Sequence, residues 1–311
     1  DPTLSLNGLY ELRLVAVDLA GRVVETEPVS VSFKGGMKIG HFTSAFQDLS
    51  IPAPGLPVEI SRVYDSRAAA LQEPGDFGKG WRLAGRDIRL RKSCRLDKGW
   101  VETSSGGLWP VYYLEGTRSH SIVITFPDGR VYTFNAVPDT TRQFAVPIMY
   151  PAMQFIPAHP ADGRLESAGS NRLAVVGSIP GRVDLYDFEK VLGGSLEFEY
   201  NPTLFKFTAP DGLCYLIDEV EGLKSVSDLS GNIVSYGLDG VAHSSGPSVE
   251  FIRDSQGRIA GITDPNGNTM SYLCDAQGDL VGFTDASGRF TRYVYDDQHR
   301  LVRAMNPDQA Q

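Results

Sequence analysis

The sequence predicts an all-β protein, and three observations carry that expectation. The 33 glycines and 19 prolines among 311 residues interrupt the chain too often for long helices. The apolar residues between them tend to alternate with polar ones, the period of a strand with one buried face. From about residue 221 the chain copies itself at an interval of 21 residues, the mark of a small unit that buries its face only by stacking on its neighbours. With 41% hydrophobic residues the chain can bury a substantial core, and its length suggests about two domains.

The elements follow in order. Tyr10, Leu12, Leu14 and Ala16 form an apolar face, Asp18 to Gly21 supplies turn chemistry, and Val23, Val24, Val29, Val31 and Phe33 supply the returning strand. A two-stranded ribbon is marginal alone. The run Gly8-Leu-Tyr-Glu-Leu-Arg-Leu-Val-Ala-Val-Asp-Leu-Ala-Gly21 resembles the last hairpin of bacterial immunoglobulin-like domains, which implies that the other strands of that sandwich lie upstream. After Gly35-Gly36 come short apolar runs between turn residues. Candidate strands are Val58 to Val63, Ile88 to Arg91, Val111 to Leu114, Ile122 to Phe126, Val131 to Phe134, Leu196 to Tyr200, Phe205 to Phe207 and Tyr215 to Ile217. Ser66 to Gln72 is the only stretch with a helical preference, and it is short. Prolines 138, 147, 151, 157 and 160 alternate with Phe144, Ile148, Met149, Tyr150, Met153, Phe155 and Ile156. Because proline is confined to sheet edges and bulges, this segment is expected to be an irregular loop covering the sheet, with a lid or partner-binding loop as the functional alternative.

The C-terminal repeat is the most decisive feature. Asp264-Pro-Asn-Gly267 and Asp285-Ala-Ser-Gly288 stand 21 residues apart, and Gln256-Gly257 returns at the same interval as Gln277-Gly278. Asp254, Asp275 and Asp296 keep the interval, as do Tyr272 and Tyr293. A degenerate earlier copy runs through Asp228 and Gly231 to Tyr236, and a last one breaks off after Asn306-Pro-Asp308. Asp-x-x-Gly reads as a tight turn in which aspartate caps backbone donors and glycine takes a positive φ. Each copy makes a hairpin, and tyrosines 236, 272 and 293 are expected to form an aromatic ladder along the sheet.

Gly257-Arg-Ile-x-x-Ile-Thr-Asp264-Pro-Asn-Gly267-Asn-Thr-x-x-Tyr272, followed by Gly288-Arg-Phe-Thr-Arg-Tyr293-Val-Tyr-Asp296, resembles the YD repeat of Rhs proteins, teneurins and Tc-toxin cocoons. Upstream, Gly40-His-Phe with Asp48, the run through Arg62, Tyr64, Ser66 and Arg67, and Gly75-Asp-Phe77-Gly78-Lys-Gly80-Trp81 are similar to the segment with which bacterial Rhs shells begin. The resemblance implies stacked antiparallel β-hairpins of a YD-repeat spiral, an open segment of a hollow shell that holds a C-terminal toxin or effector, as in polymorphic toxins. It divides the chain into the end of an immunoglobulin-like domain (1–34), the opening of the shell (35–220) and YD repeats truncated at the C-terminal end (221–311). It implies a secreted or cell-surface bacterial location. The partners it implies are the rest of the same polypeptide shell and the enclosed effector. A carbohydrate-binding or adhesive cell-surface module is the second reading, with glycans as partners.

The chemistry sought elsewhere is not expected. A net charge of −9 repels phosphate backbones and anionic lipid heads, so no nucleic acid partner and no membrane insertion by this segment are foreseen. Cys94, Cys214 and Cys274 are far apart and in no Cys-x-x-Cys pair; one disulfide among them stays open. Gly78-Lys-Gly-Trp81 lacks phosphate-loop spacing and reads as a turn whose Trp81 plugs the core. His41, His120, His159, His243 and His299 show no metal-binding pairing. Asp264, Asn266, Asn268 and Asp275 echo a calcium loop, but the glycine falls at the fourth position instead of the sixth. No cofactor, metal or catalytic residue is assigned, although carboxylate pairs that meet only in space leave a glycosidase open.

Overall fold

The computed structural model describes residues 8–17, 23–26, 29–33, 42–194 and 198–306. The turn at 18–21, Gly35-Gly36, Gly40-His41, Leu196 and Asp308 lie outside the described residues. The all-β expectation holds: the described elements are antiparallel strands with two short helices, Ser66–Ala70 and Phe188–Leu192. Sequence preference pointed only to the first helix. The second exists because the Asp187 carboxylate caps it, accepting from the Glu189 and Lys190 amides at 3.1 and 3.3 Å. The chain forms two compact units, residues 1–37 with 88–222 and residues 38–87 with 223–311.

In the first unit Gly8–Leu12 pairs with Val29–Phe33, and Val15–Val17 pairs with Val23–Glu25 inside it. The opening hairpin is thus present, in two nested pieces. A five-stranded sheet runs in the order Arg142–Phe144, Val111–Gly116, Trp100–Ser104, Gly181–Asp187, Leu173–Gly177. A four-stranded sheet runs Met153–Pro157, Val131–Pro138, Ser121–Thr125, Arg89–Lys92. Alternation explains the core, since Val131–Pro138 turns Tyr132, Phe134 and Ala136 inward and Tyr132 and Phe134 pack on Phe207. Two expectations change here. Leu196 to Tyr200 forms no strand among its described residues: Glu199 makes one isolated bridge to Tyr186, its carboxylate is drawn to Lys98, and the Tyr200 ring is buried. The proline-rich segment is more ordered than a loop. It contributes Arg142–Phe144 and Met153–Pro157, both at sheet edges, where one side of the strand needs no ladder donor.

The second unit joins two sequence-distant parts. Thr43–Ile51, Val58–Asp65 and Trp81–Leu83 form a three-stranded sheet. From Gly222–Ser227 the chain continues through Ile233–Tyr236, Gly240–His243, Ser248–Arg253, Ile259–Thr263, Thr269–Cys274, Leu280–Thr284, Phe290–Tyr295 and Leu301–Met305, each antiparallel to the next. These are the stacked hairpins that the repeat foretold. The period reaches into the backbone, because register shifts follow Ile252, Leu273 and Val294. One face is inward: Val249, Phe251, Ile262, Met270, Tyr272, Phe283 and Tyr293 share a core with Val58, Ile60, Tyr64, Phe77, Trp81 and Leu83.

Candidate functional site

The repeat turns share one geometry. In the turn at Asp254, Oδ1 accepts from the amides of Gln256 and Arg258, both at 2.9 Å, while Oδ2 takes the Arg258 Nε at 2.7 Å. Asp264 repeats this with Asn266 and Asn268, Asp285 with Ser287 and Arg289, and Asp296 with Gln298 and Arg300. Asp228 does the same with Ser230 and Asn232. Gly231, Gly257, Gly267, Gly278 and Gly288 all adopt a positive φ, between 81 and 91°. Hydrogen bonds lower these carboxylates: the Asn232 side chain acts most strongly on Asp228, that of Asn268 on Asp264, and Ser287 with Arg289 holds Asp285 at about 2. At Asp264 both oxygens are engaged by the turn itself, which accounts for the calcium-loop echo without an ion.

The tyrosines go elsewhere. Tyr272 and Tyr293 point inward, to 5 and 2% exposure, and meet Arg62. Arg62 Nε donates to Asp48 Oδ2 at 2.5 Å and Nη2 donates to Asp48 Oδ1 at 2.8 Å. The Tyr272 hydroxyl donates to the same Oδ2 at 2.8 Å, and the Tyr293 hydroxyl accepts from Nη2 at 3.2 Å. Nη1 is buried without a hydrogen-bond partner, but the guanidinium carbon lies 4.3 Å from the centre of the Phe283 ring. The rings of Phe46, Trp81, Tyr272 and Tyr293 surround it at 5.2 to 5.8 Å. Burial pulls the guanidinium pKa down, yet the Asp48 hydrogen bonds and charge outweigh it and hold the group above its ordinary value. Burial raises both phenols, which favours the protonated form in which Tyr272 donates to Asp48.

The expected ladder is therefore different in kind. Tyr272 packs on Phe77 and Phe283, and Tyr293 on Phe46 and Trp81, because the inward face of the hairpins meets the three-stranded sheet instead of a further row of tyrosines. Tyr236 is partly buried and packs against the margin of the same core, its ring beside Gly85. The other upstream motif residues fix the joint. Trp81, fully buried, donates from Nε1 to the Tyr295 hydroxyl at 2.7 Å, and the Tyr64 hydroxyl accepts from the Leu301 amide at 2.8 Å. Ser66 holds the Phe42 amide, and the Arg67 amide donates to the Asp65 cap of the helix. A Cβ on Gly78 would sit 2.9 Å from the Gly278 carbonyl oxygen, and one on Gly80 2.7 Å from the Ala69 methyl, so each glycine allows a close approach.

Residues 275–310 match the RHS Repeat family, and residues 36–134 match a domain of unknown function, DUF6531. The match over residues 275–310 supports the resemblance to the Rhs/YD-repeat family. No curated protein is similar enough to the chain to count as a match. Asp48, Arg62 and Trp81 of the buried centre lie in residues 36–134, and Phe283, Tyr293 and Tyr295 lie in residues 275–310, while Tyr272 falls just before the second stretch.

Sequence reasoning missed three groups. Position five of each turn, occupied by Asn232, Arg258, Asn268, Arg289 and Arg300, was legible in the repeat. Asp279 stands at that position after Asp275 and instead takes the Nδ1 of His299, 2.6 Å away; His299 itself replaces glycine at a φ of 60°. Glu102, fully buried in the five-stranded sheet, accepts the Ile148 amide at 2.6 Å on Oε1 and leaves Oε2 unpartnered. Cys94, Cys214 and Cys274 are free and half-buried. Among the described residues no group of three His, Cys, Asp or Glu is placed to hold a metal, and no helix is long and apolar enough to cross a membrane.

Proposed function

We propose that this chain is a non-catalytic structural segment of a bacterial, secreted or surface Rhs protein, part of a β-shell that encloses or presents a C-terminal toxin or effector. The observation that supports this reading is the use of the repeat tyrosines: Tyr272 and Tyr293 are spent on packing and on Arg62, not on a ligand. Both oxygens of Asp48 accept donors, so the one buried ion pair of this centre serves as a joint between hairpin array and opening sheet. The opening hairpin belongs to the same proposal as the end of an immunoglobulin-like domain, supported by its nested antiparallel pairs.

The test is protease protection of the effector in the full parent polypeptide. With Arg62 intact the effector is expected to survive digestion, and with Arg62→Ala it is expected to be degraded. Equal degradation in both proteins would sink the shell reading. The carbohydrate-binding reading needs rings that a sugar can reach. A glycan-array signal lost on replacing Tyr112 or Tyr113 would favour it over the shell.

A further inference from the structure

We infer that Asn266 is a modification site: its carboxamide deamidates spontaneously through a cyclic imide with Gly267, giving aspartate and isoaspartate and loosening the hairpin that carries Tyr272. This inference is independent of the shell reading.

The repeat turns supply the comparison. Two residues after the turn aspartate stand Ser230, Gln256, Asn266, Gln277, Ser287 and Gln298, so asparagine occupies that place in one turn alone. Serine has no carbonyl for a backbone nitrogen to attack, and glutamine closes a larger, slower-forming ring. Asn266 is followed by Gly267, which has no Cβ to hinder the approach, and nothing lies within 4 Å of where that Cβ would stand. Residues 265–269 are exposed, and the Asn266 carboxamide has no hydrogen-bond partner among the described residues. Asn268 is the contrast, because its Nδ2 donates to Asp264 Oδ2 at 2.8 Å and the β-branched Thr269 follows it. The other Asn-Gly step, Asn7-Gly8, begins outside the described residues.

One restraint opposes the reaction. The Gly267 amide donates to the Asp264 carbonyl oxygen at 3.0 Å, and that bond must open before the nitrogen can attack. Exposed turns open on a timescale far shorter than that of the chemical step, so the fold slows the reaction without stopping it. The Gly267 nitrogen then gives its proton to water or hydroxide and bonds to the Asn266 Cγ, and the carboxamide nitrogen takes up a proton and leaves as ammonia. Water opens the imide on either side. Cleavage between the Gly267 nitrogen and Cγ leaves aspartate, and cleavage at the backbone carbonyl of residue 266 leaves isoaspartate, with the chain routed through the former side chain. Water is consumed and ammonia released, with no oxidant or metal. Isoaspartate adds a methylene to a turn in which Asp264 Oδ1 accepts the amides of residues 266 and 268 at 2.9 and 2.8 Å, so both cannot keep their place. The strand that follows, Thr269–Cys274, carries Met270 and Tyr272 into the core.

The experiment ages the 311-residue chain and its Asn266→Ser variant in mildly alkaline buffer, digests both with trypsin and fragments the peptide spanning 259–289 in a mass spectrometer. The wild-type peptide is expected to gain the mass difference between an amide and an acid at residue 266, faster at higher pH and faster still in urea. The variant, which carries the serine of the sister turns, is expected to gain none there and to match fresh wild type in circular dichroism and Tm. Aged wild type is expected to melt below aged variant. No gain at residue 266 in the folded chain while the urea-unfolded chain converts, or conversion of Asn268 in its place, overturns the site. A fully converted sample with unchanged Tm overturns the loosening.

Discussion

Two buried carboxylates, one in each unit, meet opposite fates. Asp48 is almost fully enclosed, yet its oxygens receive two bonds from Arg62 and one from Tyr272, and aromatic faces surround the cation. Glu102 is as deeply enclosed, with one backbone donor and an oxygen that has none. Burial alone therefore does not decide whether a charge is tolerated; the supply of donors does. The consequence shows at Glu102, where burial raises the carboxyl against the opposing pull of the Ile148 amide.

The largest expected effect breaks the well-supplied site. Arg62→Ala leaves Asp48 buried without its cation and is expected to cost about 3–5 kcal/mol. Arg62→Met combined with Asp48→Asn removes both charges and keeps an acceptor for Tyr272, so it is expected to cost less than Arg62→Ala alone. Denaturant unfolding with hydrogen exchange at Thr269–Cys274 and Phe290–Tyr295 measures both. If Arg62→Ala costs no more than a typical surface change, the centre is not the joint described.

Next come two pH effects of opposite sign. Asp228, Asp254, Asp264, Asp285 and Asp296 have lowered pKa values in the folded chain. Their contribution is fully present above the ordinary carboxylate range and is lost as pH falls toward about 2, the value of Asp285. Glu102 is raised, so the folded state holds its proton more tightly than the unfolded one. Its contribution is greatest below the ordinary glutamate range and is lost as pH rises through the raised value. Exchange at the Ile148 amide should therefore speed up with pH beyond its intrinsic dependence, and Glu102→Gln, which keeps the acceptor, should remove that excess. An excess unchanged in Glu102→Gln would place its origin elsewhere.

The legibility of the sequence divides along the same line. Turn aspartates and positive-φ glycines were readable because their partners lie within four residues, and a local pattern repeated five times leaves little ambiguity. Trp81 as a core plug was readable from its size and setting. Arg62 could be singled out by resemblance, but its contact with Tyr293 spans 231 residues, and no local period encodes such a meeting. Glu102 carried no signal at all. It sits in Trp100–Ser104 as one glutamate in a strand of ordinary alternation, and only the fold of the proline-rich segment brings Ile148 to it. The proline-rich segment itself was misjudged for the same reason, since edge placement is a property of the sheet and not of the segment.

The smallest effect concerns the two departures from the repeat, and it sharpens what the pattern is for. Asp279 replaces the Asn or Arg that elsewhere donates to the turn aspartate, and His299 replaces glycine in the turn one repeat later; the two side chains meet at 2.6 Å. Asp279 is 4% exposed and its other oxygen is unpartnered, so removing His299 leaves a buried carboxylate with no side-chain partner. His299→Gly relieves a left-handed residue, a gain of about 1 kcal/mol, but forfeits that pairing, at roughly 1–3 kcal/mol, and is expected to be destabilising on balance. Adding Asp279→Asn restores the regular pattern at both positions, with an amide able to reach Asp275 as Asn268 reaches Asp264. The double variant is expected to be at least as stable as the wild type and more stable than His299→Gly. Thermal unfolding of the four proteins closes the cycle. If the two changes simply add, the departures are independent, and the pairing is a by-product of the turn geometry with no role in offsetting the lost glycine.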